Sequence, residues 1–465
     1  MRYSMLLFLA VVGVACAGGN RAGSITVAAA ADDQQSQLPA TTIQSFTPVD
    51  GADLMARLEA AQARARSQQK PYWSAYTFDV RPGVAVDPNI RDFNGSINTM
   101  GDTTVFIGTT PGGVTVETRN LAIFLLRDSA SNQITRMEIY NLERKREYSG
   151  YPVYWLGRAN NEESLNYLRA IVAAAPLDML SERAVLGIAL HDDSRVGGML
   201  KTFISTSPNQ HIRSSSVYWL GLVGGEQTFL ASLVRNETED IKLRRAAAHA
   251  IGQSHDRGAI ATLQDLYGSV KDVEVRRSVI SAAGNSVEEQ QAFTFVLGVA
   301  KNDADWESRA AAVRQLGHFQ REDAVDELMK IYKNDANVEV KRAALRALGE
   351  TQSARVEDKL FEVARGDESM ELRRQAIRLL GERVGKRSFD FLSTTAQSTD
   401  ANAEVQVQAV RAIGERHAEE SVPLLIKIAK THPNQMVRKQ AIRSLGESGD
   451  PRAVEFFKEV LMKQE

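Results

Sequence analysis

The chain has 465 residues, with 56 Lys and Arg against 58 Asp and Glu, and a single cysteine, Cys16. The balance argues against a basic nucleic-acid binder and an acidic solvating tail, and one cysteine excludes an intramolecular disulfide or a thiolate metal site. The length exceeds what one compact core usually supports, so two structured parts are expected, one of them free to grow in one dimension.

Residues 1–17 read as an export signal. Arg2 precedes an apolar run from Met5 to Ala15 that is too short to span a membrane as a conventional helix. Ala15-Cys16-Ala17 offers a small-x-small cleavage site. Cys16 followed by Ala17-Gly18-Gly19-Asn20 also resembles a bacterial lipoprotein junction, with Gly13 where such boxes favour Leu. Removal of Cys16 with the leader and an N-terminal lipid tether at Cys16 both remain open. Residues 18–48 have the small-residue composition of a flexible linker. In residues 49–70, Leu54, Leu58, Ala61 and Ala65 fall at helical spacing and predict one amphipathic helix.

Residues 71–147 change period. Tyr76, Phe78 and Val80 alternate with Thr77 and Asp79, and Val114 and Val116 with Thr115 and Glu117; the segments 103–107, 121–126 and 134–140 add further strands. Pro82-Gly83, Asn94-Gly95 and Pro111-Gly112-Gly113 supply turns between them. Six or seven short strands predict a small antiparallel sandwich or curled sheet. Its carboxylates, Asp79, Asp87, Asp92, Asp102 and Glu117, are scattered, no histidine falls within the segment, and they read as turn and surface residues.

From residue 149 to 465 one pattern returns every 30 to 34 residues. It is clearest from Asp240 to Gly252, Asn337 to Gly349 and Asn434 to Gly446. Aligned positions are Gly157, Gly221, Gly252, Gly284, Gly317, Gly349, Gly381, Gly414 and Gly446, with His191 filling one gap. This is the period of a helical-hairpin solenoid. Twelve residues before the glycine stands a helix N-cap type: Asn209, Asp240, Asp272, Asp305, Asn337, Ser369, Asn402 or Asn434. Four residues later comes a cation, as Arg213, Arg244, Arg276, Arg309, Lys341, Arg373 and Arg438, with Gln406 the exception. An apolar stripe follows, such as Leu243, Ala247, Ala248 and Ile251, in which alanines admit close packing of the next repeat. The glycine is expected to end the helix in the left-handed conformation. A second helix follows, as at 324–332 or 453–460. The duplicated Val-Tyr-Trp-Leu-Gly at 153–157 and 217–221 extends the array back to the β-rich segment, with Pro152 in the first turn of its opening helix.

The Asp/Asn-x-x-x-Arg-x-x-Ala-hydrophobic-x-x-Leu-Gly pattern resembles HEAT repeats, of the short bacterial kind similar to phycobilisome-lyase-like HEAT proteins. The resemblance implies a mainly α fold, a right-handed superhelix of about ten helical hairpins preceded by the β-rich domain. It also implies structural roles for Asp240, Arg244, Asp272, Arg276, Asp305 and Arg309, and binding of other proteins rather than a particular chemistry. The tetrapyrrole chemistry of the lyase subgroup does not transfer by repeat pattern.

One feature exceeds scaffold needs. Arg314, Arg346, Arg378, Arg411 and Arg443 share one repeat position, and Glu350, Glu382, Glu415 and Glu447 another, four residues after the later arginines. In HEAT proteins the motif helix usually lines the concave side, so these stripes would face the groove. They form either an Arg–Glu ladder that neutralises itself, worth about 0.2–0.5 kcal/mol per pair, or a surface that recognises a charged segment of a partner. The histidines show no metal-ligand spacing, Trp155 and Trp219 read as core, and no phosphate-loop, dinucleotide or nucleophile-elbow motif occurs. The sequence therefore predicts an exported, non-catalytic scaffold of the cell envelope, periplasmic or tethered to the outer membrane. It is expected to bind a protein or extended peptide, with no cofactor and no nucleic acid. An enzyme or lyase whose β-rich domain holds a small ligand while the array presents a protein substrate is the alternative, and a purely structural spacer the third reading.

Overall fold

The computed structural model describes residues 46–462, apart from 88–93, 101–102, 110–114, 116, 175–177, 255, 320, 352, 384 and 399–401. The leader with Cys16, nearly all of the linker, and the Val114 and Val116 positions lie outside the described residues.

The expected amphipathic helix is present as α1 (Leu54–Arg66), capped by Asp53 and burying Leu54, Leu58, Ala61 and Ala65. Among the described residues, eight strands accompany it: β1 (Thr47–Pro48), β2 (Tyr72–Thr77), β3 (Val84–Val86), β4 (Asn94–Met100), β5 (Thr103–Thr109), β6 (Leu121–Arg127), β7 (Ile134–Asn141) and β8 (Val153–Arg158). They form a five-stranded sheet, ordered β1-β8-β2-β6-β7, and a three-stranded sheet, ordered β3-β5-β4. The sandwich expected to be antiparallel is thus a mixed sheet, because β8 runs parallel to both β1 and β2. Alternation along the strands splits the larger sheet's residues between two cores. Tyr72, Tyr76, Leu121, Ile123, Leu125, Met137 and Ile139 face the helices, while Trp73, Ala75, Phe124 and Tyr140 gather with Phe46 on the other side.

The start of the array differs from expectation. Residues 153–157 are strand β8 rather than a first repeat helix, although the identical pentapeptide at 217–221 is helical. Val, Tyr and Trp suit either state, so the surroundings decide. At 217 the segment follows the Asn209 cap, whereas at 153 it follows Gly150 and Pro152 and meets β2. Gly157 sits at a bulge in β8: Ala75 pairs with Trp155 and Thr77 with Arg158, leaving one extra residue on β8, and Gly157 takes φ 71°. The array accordingly begins at residue 161, not 149, and the sheet includes residues 47–48 and 153–158 outside the expected 71–147.

Among the described residues, nineteen helices follow. They alternate between an outer and an inner row, beginning with α2 (Asn161–Ala174) and α3 (Asp178–Ala189), then α4 (Arg195–Thr206) and α5 (Gln210–Val223), α6 (Gln227–Arg235) and α7 (Ile241–Gln253). Next come α8 (Ala259–Ser269) and α9 (Val273–Gly284), α10 (Glu289–Asn302) and α11 (Trp306–Leu316), α12 (Glu322–Asn334) and α13 (Val338–Gly349). The last are α14 (Ala354–Gly366) and α15 (Met370–Glu382), α16 (Lys386–Gln397) and α17 (Ala403–Gly414), α18 (Ala418–Thr431) and α19 (Gln435–Ser448), and α20 (Pro451–Met462). The motif helices are the odd-numbered row from α5 to α19. They pack closely on one another while the even-numbered row is more widely spaced, so the array curves with the motif helices inside.

The motif residues do what their chemistry allows. All eight N-cap residues accept from amides of the first turn, as Asp240 does from Lys242 and Leu243. The cation reaches back to the end of the preceding outer helix: Arg213 Nε donates to the Ile204 carbonyl at 2.6 Å, Arg244 Nε to Val234 at 2.9 Å and Arg373 Nε to Ala364 at 3.2 Å. Gln406, the exception by charge, makes the equivalent bond to the Ser398 carbonyl. Several arginines also grip the following hairpin, Arg276 on Asp303 at 2.7 Å and Arg309 on Asp335 at 2.8 Å. Positive charge at a helix C-terminus is favourable, and these bonds satisfy carbonyls that the helix leaves open.

The motif glycines have a different reason from the one expected. None from Gly221 to Gly446 in the aligned set has positive φ. Instead, a β-carbon on Gly252 would lie 2.2 Å from the Ala282 carbonyl oxygen, on Gly317 2.8 Å from Ala347 Cβ, and on Gly381 2.8 Å from Ala412 Cβ. Each glycine is the contact point for the residue two positions before the next glycine. Among the described residues, Gly446 alone in that series has nothing within 4 Å.

Sheet and array share one apolar core. Arg183 of α3 pairs with fully buried Glu138 of β7, Arg57 of α1 bonds the carbonyl of Arg158 at 2.9 Å, and Arg81 Nη1 reaches the Val223 carbonyl at the end of α5 at 3.2 Å.

Candidate functional site

The exposed face of the inner row carries four charged columns. Counted from the motif glycine they are a glutamate ten before (Glu274, Glu307, Glu339, Glu371, Glu404), an arginine seven before (Arg245, Arg277, Arg342, Arg374), the arginine three before and the glutamate one after. Steps of three and four keep all four columns on one side of each helix. The expected stripes are therefore brought together on the concave side, next to two columns that were not anticipated. Their regular recurrence was visible in the sequence, but they fall in the half of the helix assigned to capping.

The two added columns neutralise each other between repeats. Arg245 pairs with Glu274 at 3.5 Å, Arg277 with Glu307 at 3.1 Å, Arg374 with Glu404 at 3.1 Å, and Arg342 with Glu371 and, at 2.9 Å, with Glu339. The expected stripes are only partly self-paired. Arg378 meets Glu382 at 2.5 Å and Arg443 meets Glu447 at 3.1 Å. Among the described residues, Arg314, Arg346 and Arg411 form no ion pair, nor do Glu350 and Glu415. Partial burial, followed by the like charges of Arg346 and Arg277, holds Arg314 below the usual guanidinium range.

A second concavity, of about 630 Å³, lies where the β-rich part meets the array; Asp79, Arg81, Glu117, Arg119, Trp155 and Arg158 line it. Its charges are engaged: Arg158 with Asp79, Arg119 with Glu117 at 3.3 Å, and Glu117 with the Gly83 amide at 3.1 Å. Trp155, expected in a helical core, stands on β8 at the rim of this cleft, whereas Trp219 is buried in α5 as expected. No cluster of His, Cys, Asp or Glu with metal-binding geometry occurs among the described residues. His191, in the gap of the glycine series, is fully buried at the junction. It stacks on Phe78 with centroids 4.2 Å apart, and its ring nitrogens lie 2.6 Å from the Gly187 carbonyl and 2.8 Å from Ser164 Oγ. Burial lowers its pKa to about 4.

No curated protein matches the chain at a significant level. Solved structures with similar repeats include Escherichia coli YibA (19% identity, TM-score 0.33, covering 56% of this chain and 95% of that one). They also include the complex of CpcE and CpcF of phycocyanin lyase from Nostoc sp. PCC7120 (18%, 0.28, 54% and 93%) and human deoxyhypusine hydroxylase (14%, 0.26, 62% and 96%). The family model for HEAT repeats matches residues 227–317, 293–381, 325–402 and 389–465, which together run from 227 to 465, more than half of the chain. With the capped, glycine-seamed hairpins described above, that match places the chain in the HEAT-repeat family.

Proposed function

We propose that this protein is a non-catalytic interaction scaffold of the cell envelope that takes a protein or extended peptide on the concave face of its array. HEAT arrays are protein-interaction scaffolds, and the observation that carries the finer reading is the uneven pairing of the inner face. A ladder that served stability alone would pair throughout, yet Arg314, Arg346, Arg411, Glu350 and Glu415 are left without ion partners among the described residues. Arg378, Arg443, Glu382 and Glu447, already paired in the helix, frame those free groups and exchange partners at small cost, since exposed pairs are worth little. The envelope assignment rests on the leader at residues 1–17, with a lipid tether at Cys16 as one form of attachment.

The test is affinity capture from envelope extract with the full chain and with R314E/R346E/R411E. Retention of a partner by the first and its loss by the second, with unchanged helicity, is the expected outcome. Equal capture by both would remove the inner face from consideration. The junction cleft is the observation behind the alternative, a small-ligand enzyme or lyase site in the β-rich part. Ligand-dependent protection of Trp155 fluorescence from quenching would favour it.

A further inference from the structure

Arg314 stands near the middle of the inner face, on a helix packed against that of Arg346, with Arg346 and Arg277 as like-charged neighbours. Arg277 is held by Glu307 at 3.1 Å, but Arg346 has no ion pair among the described residues. For Arg314 the sequence explains the imbalance. Four residues after Arg314 stands His318, where the next repeats carry Glu350 and Glu382, and the arginine column beside it is interrupted by Ala310, which leaves Glu339 to Arg342 of its own helix. Arg314, with part of its surface covered, and Arg346, its exposed neighbour of like charge, form no ion pair among the described residues, although the Glu350 carboxylate lies beside Gly317 between their helices; a pair of anionic groups on their solvent side would give both a partner.

The geometry also limits the shape of the ligand. Arg314 and Arg346 occupy equivalent positions on α11 and α13, and neighbouring packed helices lie about 8–10 Å apart. A polyproline-type chain repeats its side-chain direction every three residues, with a rise of about 3.1 Å per residue, so side chains three apart point the same way at about 9 Å. A β-strand places residues three apart on opposite sides and matches this spacing less well. Resting on the inner-face reading above, we propose that α11 and α13 hold an acidic segment of a protein partner in an extended, polyproline-like conformation. One carboxylate sits on Arg314 and a second, three residues along, on Arg346.

The test pans a phage-displayed library of random linear peptides against the immobilised full chain, then titrates selected peptides by fluorescence anisotropy. Titrations use the wild type, R314Q/R346Q and R378Q/R411Q, each first checked for an unchanged melting curve. The expected result is enrichment of Asp or Glu pairs three residues apart, with binding about tenfold or more weaker on R314Q/R346Q and weakened by salt. Selected peptides that lack acidic pairs, or that lose affinity on R378Q/R411Q but not on R314Q/R346Q, would overturn the acidic-segment proposal while leaving the inner face as the binding surface. Peptides indifferent to both variants, or no selected peptides, would overturn both readings. Equal competition by a single-stranded oligonucleotide would reassign the arginines to polyanions in general and also defeat the proposal.

Discussion

Replacing Gly252 with alanine tests whether the motif glycine is a seam between repeats. The added methyl would sit 2.2 Å from the Ala282 carbonyl oxygen, 2.7 Å from its carbon and 2.9 Å from its Cα. Ordinary van der Waals contact needs more than 3 Å, and the obstacle is backbone, which cannot rotate away. Relief requires α7 and α9 to part by about 1 Å, opening a gap between two packed helices whose buried residues include Ala247, Ile251, Val279 and Ala283. Overpacking of this kind costs about 1–3 kcal/mol, against a gain of about 0.5–1 kcal/mol from replacing glycine inside a helix. Gly446→Ala is the control, because nothing lies within 4 Å of its β-carbon position and only the helical gain remains. Urea unfolding followed by circular dichroism should therefore show a lower midpoint for G252A and an unchanged or higher one for G446A. Parallel stabilisation of both would refute the seam and return these glycines to a purely helix-ending role.

Acid should weaken the junction through His191. Its folded pKa is lowered to about 4 from an unfolded value near 6.5. The unfolded chain therefore binds the extra proton first, and the stability held above pH 6.5 falls as pH drops toward 4, by about 3 kcal/mol over the full window. H191Q should flatten that slope in urea titrations across this range. Glu138→Gln should cost about 3–5 kcal/mol, measured by the same unfolding assay, because it leaves Arg183 buried without its counter-charge. Arg244→Ala should cost about 1.5–3 kcal/mol by removing a buried charged donor from the Val234 carbonyl. Gln406→Ala, with a neutral donor, should cost about 0.5–1.5 kcal/mol in the same comparison.

The array was legible because its rules are local. A cap residue, a cation four later and an alanine-rich stripe each act within one hairpin, and their recurrence makes chance agreement improbable. Gly157 and Gly252 show where such reading stops. Both fit the same slot of the pattern, yet one is a bulge in a sheet and the other a contact between helices, a difference set by partners distant in sequence. The second Val-Tyr-Trp-Leu-Gly carries no information that the first lacks; Asn209 before one and Gly150-Tyr151-Pro152 before the other do. Parallel pairing of β8 with β2 was hidden for a similar reason, since it joins residues about eighty apart across the intervening strands. On the inner face, the recurrence of Arg314 and its equivalents could be read from the sequence. Arg314 has His318 where a glutamate would stand, but Arg346 and Arg378 both have a glutamate four residues on, and Arg378 pairs with its own while Arg346 does not, so those two look alike in sequence and differ in the fold.

The position of Gly187 gives the β-rich part a further meaning. A β-carbon there would meet Leu168 of α2 at 3.2 Å and Met137 and Ile123 of the sheet at 3.4 and 3.7 Å. The sheet thus occupies the side of α3 on which a preceding repeat would stack. A solenoid needs such a termination, because an open end exposes the apolar flank that every internal repeat hides against its neighbour. The strands act as a bookend built from a different material. They seal the row without offering another helix to extend it, so growth of the array on that side is closed by a change of architecture rather than by a polar version of the repeat.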